Sequence, residues 1–276
     1  MADTRMRKRA DGAKGYDEML KRGGSEYIPL VDGEIPRYRI VLPFSKVAWF
    51  TVSLPFFAFI FCVIWSIVYN FEHSTSTHCQ VYNFLPSVSA AIGHYKPQKN
   101  VWKGAIALQA LVRALIFLMY YRLYKEKIHK WANGLSNLAL VTYALENISL
   151  VSLSFWSSNE NYAIHKLSFI TFLIMSLVHM FLTYYIMTKC RNITKDPSNT
   201  TSMKWKYRSM IFNVTSIFSA CYFFYRHNTF CEPIVYSLFA LAEYLVVLTN
   251  MGYHLTAAWD FAGRHLLLST TGFRII

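Results

Sequence analysis

SLFALAEYLVVLTNM, running from Ser237 to Met251, decides how this chain is read. Its residues suit a membrane helix, yet a carboxylate, Glu243, stands at its centre. An isolated charge at the middle of a bilayer costs at least about 2.5–3.5 kcal/mol, so an acid there calls for partners on other helices.

The rest of the chain repeats the pattern. Apolar runs fall at 47–69, 101–121, 135–155, 166–187, 210–225 and 234–254, separated by short polar stretches. Roughly 20 apolar residues cross a bilayer core, so each run is a candidate span. The 210–225 run is the weakest, being short and carrying Asn213, Thr215 and Ser219. Of the 276 residues 54% are hydrophobic, 17% aromatic and only 16% charged, which excludes an ordinary soluble domain. The first 27 residues are hydrophilic, so no cleavable signal peptide is expected and the first span serves as targeting signal. The fold class is an all-α, six-helix transmembrane bundle.

A net charge of +13 raises nucleic acid as a partner, but its distribution argues against one. Ten Lys and Arg precede the first run, and others gather in the 122–133 and 188–208 loops. The alternate loops are poor in them. That alternation is the positive-inside pattern and predicts that both termini are cytosolic. The charge sets topology and touches anionic lipid. Residues 1–27 read as a disordered basic tail, 28–265 as the six-helix domain and 266–276 as a cytosolic C-terminal tail. Within 28–46 the pattern fits either an amphipathic lead-in or a β-like turn at the membrane surface. The 70–100 loop holds apolar residues that a solvated linker does not need, so structure is expected in it.

The five cysteines show no spacing that suits zinc, and no metal is expected. Cys79 and Cys231 fall in loops on the non-cytosolic side, an oxidising compartment along the secretory route, and are expected to pair; the alternative is two unrelated thiols. The sequons at Asn192 and Asn199 lie in the basic loop, where no transferase reaches them.

Glu243 has company. Arg113, Glu146 and His179 fall at similar depth in their own runs, with Asn147 and Asn250 nearby. Arg113 with Glu146 or Glu243, and His179 with the other acid, would neutralise one another. Such a set either ties helices together or lines a cavity for a polar headgroup. A second set lies at the non-cytosolic edge: His78 in the first loop, Glu160 and His165 in SSNENYAIH, and Arg226, His227 and Glu232 in YRHNTFCEP. A histidine with a glutamate can serve as a general base pair at the depth of a lipid ester.

The stretches THCQVYNFLPSVSAAIG (77–93), LENIS (145–149), SSNENYAIH (157–165), SLVHMFLT (176–183), YRHNTFCEP (225–233) and LAEYLVVLTNMGYHLTAAWDF (241–261) resemble the post-GPI-attachment-to-proteins factor two family. That family sits in a six-helix group with the DRAM and Sfk types. The resemblance covers residues 28–265. It implies a multi-pass Golgi protein, also present in the endoplasmic reticulum on one reading, that remodels the lipid of GPI anchors. The step implied is re-esterification of the sn-2 position of lyso-GPI with a saturated chain, by an acyltransferase or an essential component of one. The implied partners are membrane lipids, lyso-GPI-anchored proteins and the GPI phospholipase of the preceding step. No bound cofactor is implied; the acyl donor is acyl-CoA or a phospholipid. No soluble-acyltransferase HxxxxD motif occurs, since five residues separate His254 from Asp260.

His165 and His227 are therefore the candidate bases, Glu160 and Glu232 their orienting acids, and His78 and Arg226 the candidate substrate-binding residues. The reading from another class is a lipid-binding scaffold that presents lyso-GPI to a separate enzyme. Ion transport fits poorly, because most spans carry a single charged residue.

Overall fold

The computed structural model describes residues 40–93, 95–191, 197–269 and 272–275. The tail expected over 1–27, most of the 28–46 lead-in and the Asn192 sequon lie outside them. The chain divides into two units, Met1–Pro43 with Gly263–Ile276 and Phe44–Ala262.

The first unit contains a three-stranded antiparallel sheet in the order β1 (Ile40–Pro43), β2 (His265–Ser269), β3 (Gly272–Ile275). Its register pairs Ile40 with Leu268 and Leu266 with Ile275. Runs of Ile, Val and Leu in IVLP and HLLLS favour extended chain. β2 and β3 fall largely in the segment read from sequence as a tail.

The second unit is helical. In chain order it comprises α1 (Phe44–Tyr69), α2 (Phe71–Thr75), α3 (Val88–Gly93), α4 (Lys96–Lys127), α5 (Asn133–Phe155), α6 (Tyr162–Tyr185), α7 (Pro197–Phe230), α8 (Val235–Leu255) and α9 (Ala257–Asp260). Among the described residues, 5 helical segments are long and apolar enough to cross a membrane, built on α1, α4, α5, α6 and α8. The chain is thus an all-α, multi-pass membrane protein in its helical unit. α7 is the longest helix at 34 residues, because the polar stretch Pro197–Arg208 continues into the 210–225 run without a break. α7 is not among those segments, because its apolar run is short and carries Asn213, Thr215 and Ser219.

The six long helices close a ring. Each packs on the next in the order α1, α4, α5, α6, α7, α8, and α8 returns to α1. The burial pattern is the reverse of a soluble protein's. Phe57, Leu111, Leu167 and Phe218 point outward, each about two-thirds exposed or more (67%, 71%, 68% and 72%). Arg113, Glu146, Asn213 and Lys206 point inward and are buried. Lipid tails solvate the apolar face, while hydrogen-bonding groups need partners inside the bundle. Pro55 lies inside α1 and leaves the Thr51 carbonyl without its helical donor. The Asn161 side chain caps α6 by accepting from Ile164 N at 3.1 Å.

Candidate functional site

At one end of the ring the 70–87 segment folds back over α8. The Ser237 hydroxyl accepts from Phe84 N (2.8 Å) and Leu85 N (3.2 Å), and the Tyr244 hydroxyl donates to Pro86 O (2.6 Å). Glu243 adds a third hold: its carboxylate accepts from Val88 N at 3.0 Å. Three side chains of one helix thus fix the start of α3, and Ser66 of α1 fixes its middle through Ala91 O at 3.1 Å. Gly93 ends α3 where a Cβ would lie 3.3 Å from Ser157 Cβ, so the chain passes close to the α5–α6 loop. Cys79 and Cys231 are joined by a disulfide that ties this segment to the α7–α8 turn. Gln80, Cys231 and Ile234 take left-handed backbone (φ 53°, 50° and 69°), all on the two joined loops. Conformations of that kind persist where surrounding contacts hold them.

Below α3 the ring lines a partly open cavity of about 230 Å³. All six long helices and α3 line it. Most of the wall is apolar, from Ile106, Phe169, Phe172, Phe224 and Val247 among others. The polar groups are few: Ser89, Gln109, Ser154, His165, Glu243 and Asn250. Mostly apolar walls with a few convergent polar groups are the usual form of a small-molecule or lipid site.

His165 is the most organised of them. Its Nδ1 lies 2.9 Å from Trp156 O and its Nε2 lies 3.0 Å from Ser89 Oγ. A carbonyl only accepts, so Nδ1 carries the proton and Nε2 presents its lone pair to the serine hydroxyl. The α5–α6 loop that supplies Trp156 O is itself fastened by Glu160. That carboxylate accepts from Ser157 N and Oγ (both 3.0 Å) and from Lys99 Nζ (2.6 Å). The Lys99 hydrogen bond, followed by the Ser157 N–H, holds the Glu160 carboxyl down to about 2.

The other edge residues read from the sequence occupy a separate cluster beside the disulfide. His227 is buried, 5.5 Å from the His78 ring and 4.9 Å from the Tyr236 ring, centroid to centroid. Arg226 and Glu232 form an ion pair with two hydrogen bonds. Neither acid therefore hydrogen-bonds a candidate base through its carboxylate: Glu160 serves Lys99 and Ser157, and Glu232 serves Arg226. His78 Nε2 and the two sulfurs lie within 4.8 Å of one another, but a disulfide offers no thiolate to a metal ion. Of the edge residues His165 alone lines the cavity.

Deeper in the ring the charges are tied to one another. Glu146 Oε1 receives Arg113 Nη2 (3.2 Å) and Asn250 Nδ2 (3.2 Å). His254 Nε2 lies 2.7 Å from both Glu146 Oε1 and Arg113 Nη2, so it donates to the acid or accepts from the guanidinium, one at a time. Tyr143 covers the guanidinium with its ring at 5.2 Å. His179 donates from Nδ1 to Ala139 O (3.0 Å) and stacks on His254, with centroids 5.8 Å apart. Of the pairing expected for the intramembrane set, Arg113 with Glu146 is present and the rest is corrected. His179 takes a carbonyl in place of an acid; Glu243 takes a backbone amide, because α3 folds back to within its reach. A further buried pair, Lys206 with Asp260 (2.7 Å), is joined by Tyr120 and Ser202, each 2.5 Å from an Asp260 oxygen, and by Thr256.

Sequence reasoning missed Ser89, His254 and the Lys206–Asp260 pair. SVSAA lies within a stretch that carries the family resemblance, but no residue type or spacing in it marks Ser89, and only the folding back of the 70–100 loop brings Ser89 to His165.

The Frag1/DRAM/Sfk1/Cwh43P N-terminal domain family matches residues 43–263. A Drosophila melanogaster protein, "Post-GPI attachment to proteins factor 2", is 43% identical over 80% of this chain and 86% of its own length. "Acyltransferase PGAP2" of Xenopus tropicalis is 40% identical over 84% of this chain and 92% of its own. The fission-yeast "Protein cwh43" is 25% identical over 64% of this chain but only 17% of its own length. No solved structure matches the chain. With matches of this extent, the chain belongs to the post-GPI-attachment-to-proteins factor 2 family, within the wider Frag1/DRAM/Sfk1 group.

Proposed function

We propose that this protein remodels the lipid of GPI anchors after their attachment, by re-esterifying the sn-2 hydroxyl of lyso-GPI with a saturated acyl chain. The observation that carries the reading is His165. Its Nδ1 is fixed by a backbone carbonyl and its Nε2 faces a hydroxyl at the wall of an apolar cavity. A base so oriented can take the proton of an attacking hydroxyl, and the apolar walls suit acyl chains. The names of the relatives, one of them an acyltransferase, support a role after GPI attachment and are compatible with acyl transfer.

The setting follows from the charge pattern. α7 crosses as the sixth span: Phe212 and Phe218 on its 210–225 stretch face outward, as lipid contact requires. Both termini and the 188–208 loop are then cytosolic, and the disulfide end with its cavity faces the lumen of the Golgi. Membrane lipids and lyso-GPI-anchored proteins are the partners, together with the phospholipase that generates the lyso form. The donor is acyl-CoA or a phospholipid, with no bound cofactor.

One observation favours a second reading, a scaffold that presents lyso-GPI to another enzyme. Glu160 and Glu232, the acids expected to orient a base, are both engaged by cations. Purified protein in proteoliposomes, given lyso-GPI with saturated acyl-CoA or phosphatidylcholine, separates the two. Acyl transfer by the pure protein supports the enzyme. Lyso-GPI binding without transfer from either donor supports the scaffold. For topology, a sequon built into the 70–100 loop should be glycosylated and Asn199 should not.

A further inference from the structure

We infer that Ser89 is the nucleophile of a two-step, covalent acyl transfer, with His165 as its base; the inference rests on the acyl-transfer reading. The geometry that leads to it is occupancy. The Nε2 lone pair of His165 is already taken by the Ser89 hydroxyl at 3.0 Å. For the hydroxyl of an acceptor lipid to use this base directly, Ser89 would first have to leave. Its backbone is held in place. Ser89 is the second residue of α3, whose first residue is held by Glu243 at 3.0 Å and whose fourth is held by Ser66 at 3.1 Å. The group positioned to lose a proton to His165 is therefore Ser89 itself. Both residues line the cavity, so the activated oxygen stands beside the space an acyl chain would fill. An activated hydroxyl beside a base whose other nitrogen is fixed is the arrangement of a nucleophile, its base and its orienting group; here the Trp156 carbonyl does the orienting.

The step balances. Ser89 Oγ attacks the carbonyl carbon of an activated acyl group, a thioester or a lipid ester, while its proton passes to His165 Nε2. Collapse of the tetrahedral intermediate breaks the bond to the donor's sulfur or oxygen, and His165 returns the proton to that leaving group. The acyl chain now forms an ester with Ser89. The free hydroxyl of the lysolipid then attacks this ester and gives its proton to His165. The bond to Ser89 Oγ breaks, and the serine takes the proton back. Glu243 acts as a positioning residue, since it holds α3 and touches no reacting atom.

The test uses full-length protein in proteoliposomes with palmitoyl-CoA in one arm and a dipalmitoyl phosphatidylcholine in the other, both without acceptor. Mass mapping should find a palmitoyl ester on the peptide containing Ser89, and added lyso-GPI should discharge it. Ser89→Ala and His165→Ala should each abolish the adduct and lower transfer by about 10²–10⁴-fold. If Ser89→Ala does not fold, Ser89→Cys replaces it. It should capture the chain as a thioester that neutral hydroxylamine releases. Transfer at the wild-type rate by Ser89→Ala, or wild-type transfer with no adduct at Ser89 in either arm, overturns the covalent step and leaves acyl transfer standing. An adduct that lyso-GPI does not discharge keeps the nucleophile and refutes the proposed acceptor. Neither adduct nor transfer from either donor refutes both.

Discussion

Two polar regions share the interior of one ring of helices, and they are built on opposite terms. Around Glu146 the charges are paired and crowded: Arg113, Asn250 and His254 converge on Oε1, Tyr143 roofs the guanidinium, and Oε2 is buried without a hydrogen bond. Around the cavity polar groups are sparse. His165 and Ser89 share one hydrogen bond, Glu243 has a backbone amide, and apolar walls surround them. Buried charges paired in this way tie helices together. A single oriented lone pair beside an open volume is what chemistry needs. Asn250 marks the border, since it lines the cavity and donates to both Glu146 and Ser176.

Breaking the charge-paired region should have the largest effect on folding. Glu146→Leu leaves Arg113 buried without its acid and should cost about 3–5 kcal/mol, read as lost folded yield and a lower thermal midpoint. Adding Arg113→Leu should recover much of that loss; failure to recover would remove the ion pair as the cause. The disulfide comes next. Cys79→Ser should cost about 2–4 kcal/mol, and Cys231→Ser added to it should cost no more, because either change opens the same loop. Glu243 should be milder. Glu243→Leu strands Val88 N–H and should cost about 1–3 kcal/mol, whereas Glu243→Gln keeps an acceptor and should stay close to wild type in thermal shift. Equal losses for both would mean that charge, not hydrogen bonding, is what α3 needs.

The smallest effect sharpens the cavity side. Glu160 is held down to about 2 in the fold, below its ordinary value of 4.5. Its contribution is therefore complete above the ordinary value and fades as pH falls from there toward the folded value. It is an exposed pair, so the change in midpoint over that window should be slight, and Glu160→Gln should flatten it.

Much of the helical frame is legible in composition, because hydropathy is local. The run read at 234–254 is α8, Val235–Leu255, displaced by one residue at each end. The run at 210–225 is only the apolar part of α7, Pro197–Phe230, since helix continues through residues whose charge said loop. Lys206 shows the cost of reading charge alone. It counts toward the basic loop, yet it is buried against Asp260, 54 residues further on. Ser89 was illegible for a related reason. Its partner is 76 residues away, and a serine among small residues carries no periodicity to betray it. Glu243 announced itself as a buried acid, but a backbone amide is a partner that no side-chain pattern displays.

The central claim is that chemistry belongs to the cavity and cohesion to the charge network below it. His165→Ala tests it most directly when transfer and thermal midpoint are read on the same proteoliposome preparation. The expected result is a folded protein whose midpoint falls less than that of Glu146→Leu, with acyl transfer lower by about 10²–10⁴-fold. Transfer at the wild-type rate from a folded His165→Ala protein would contradict it.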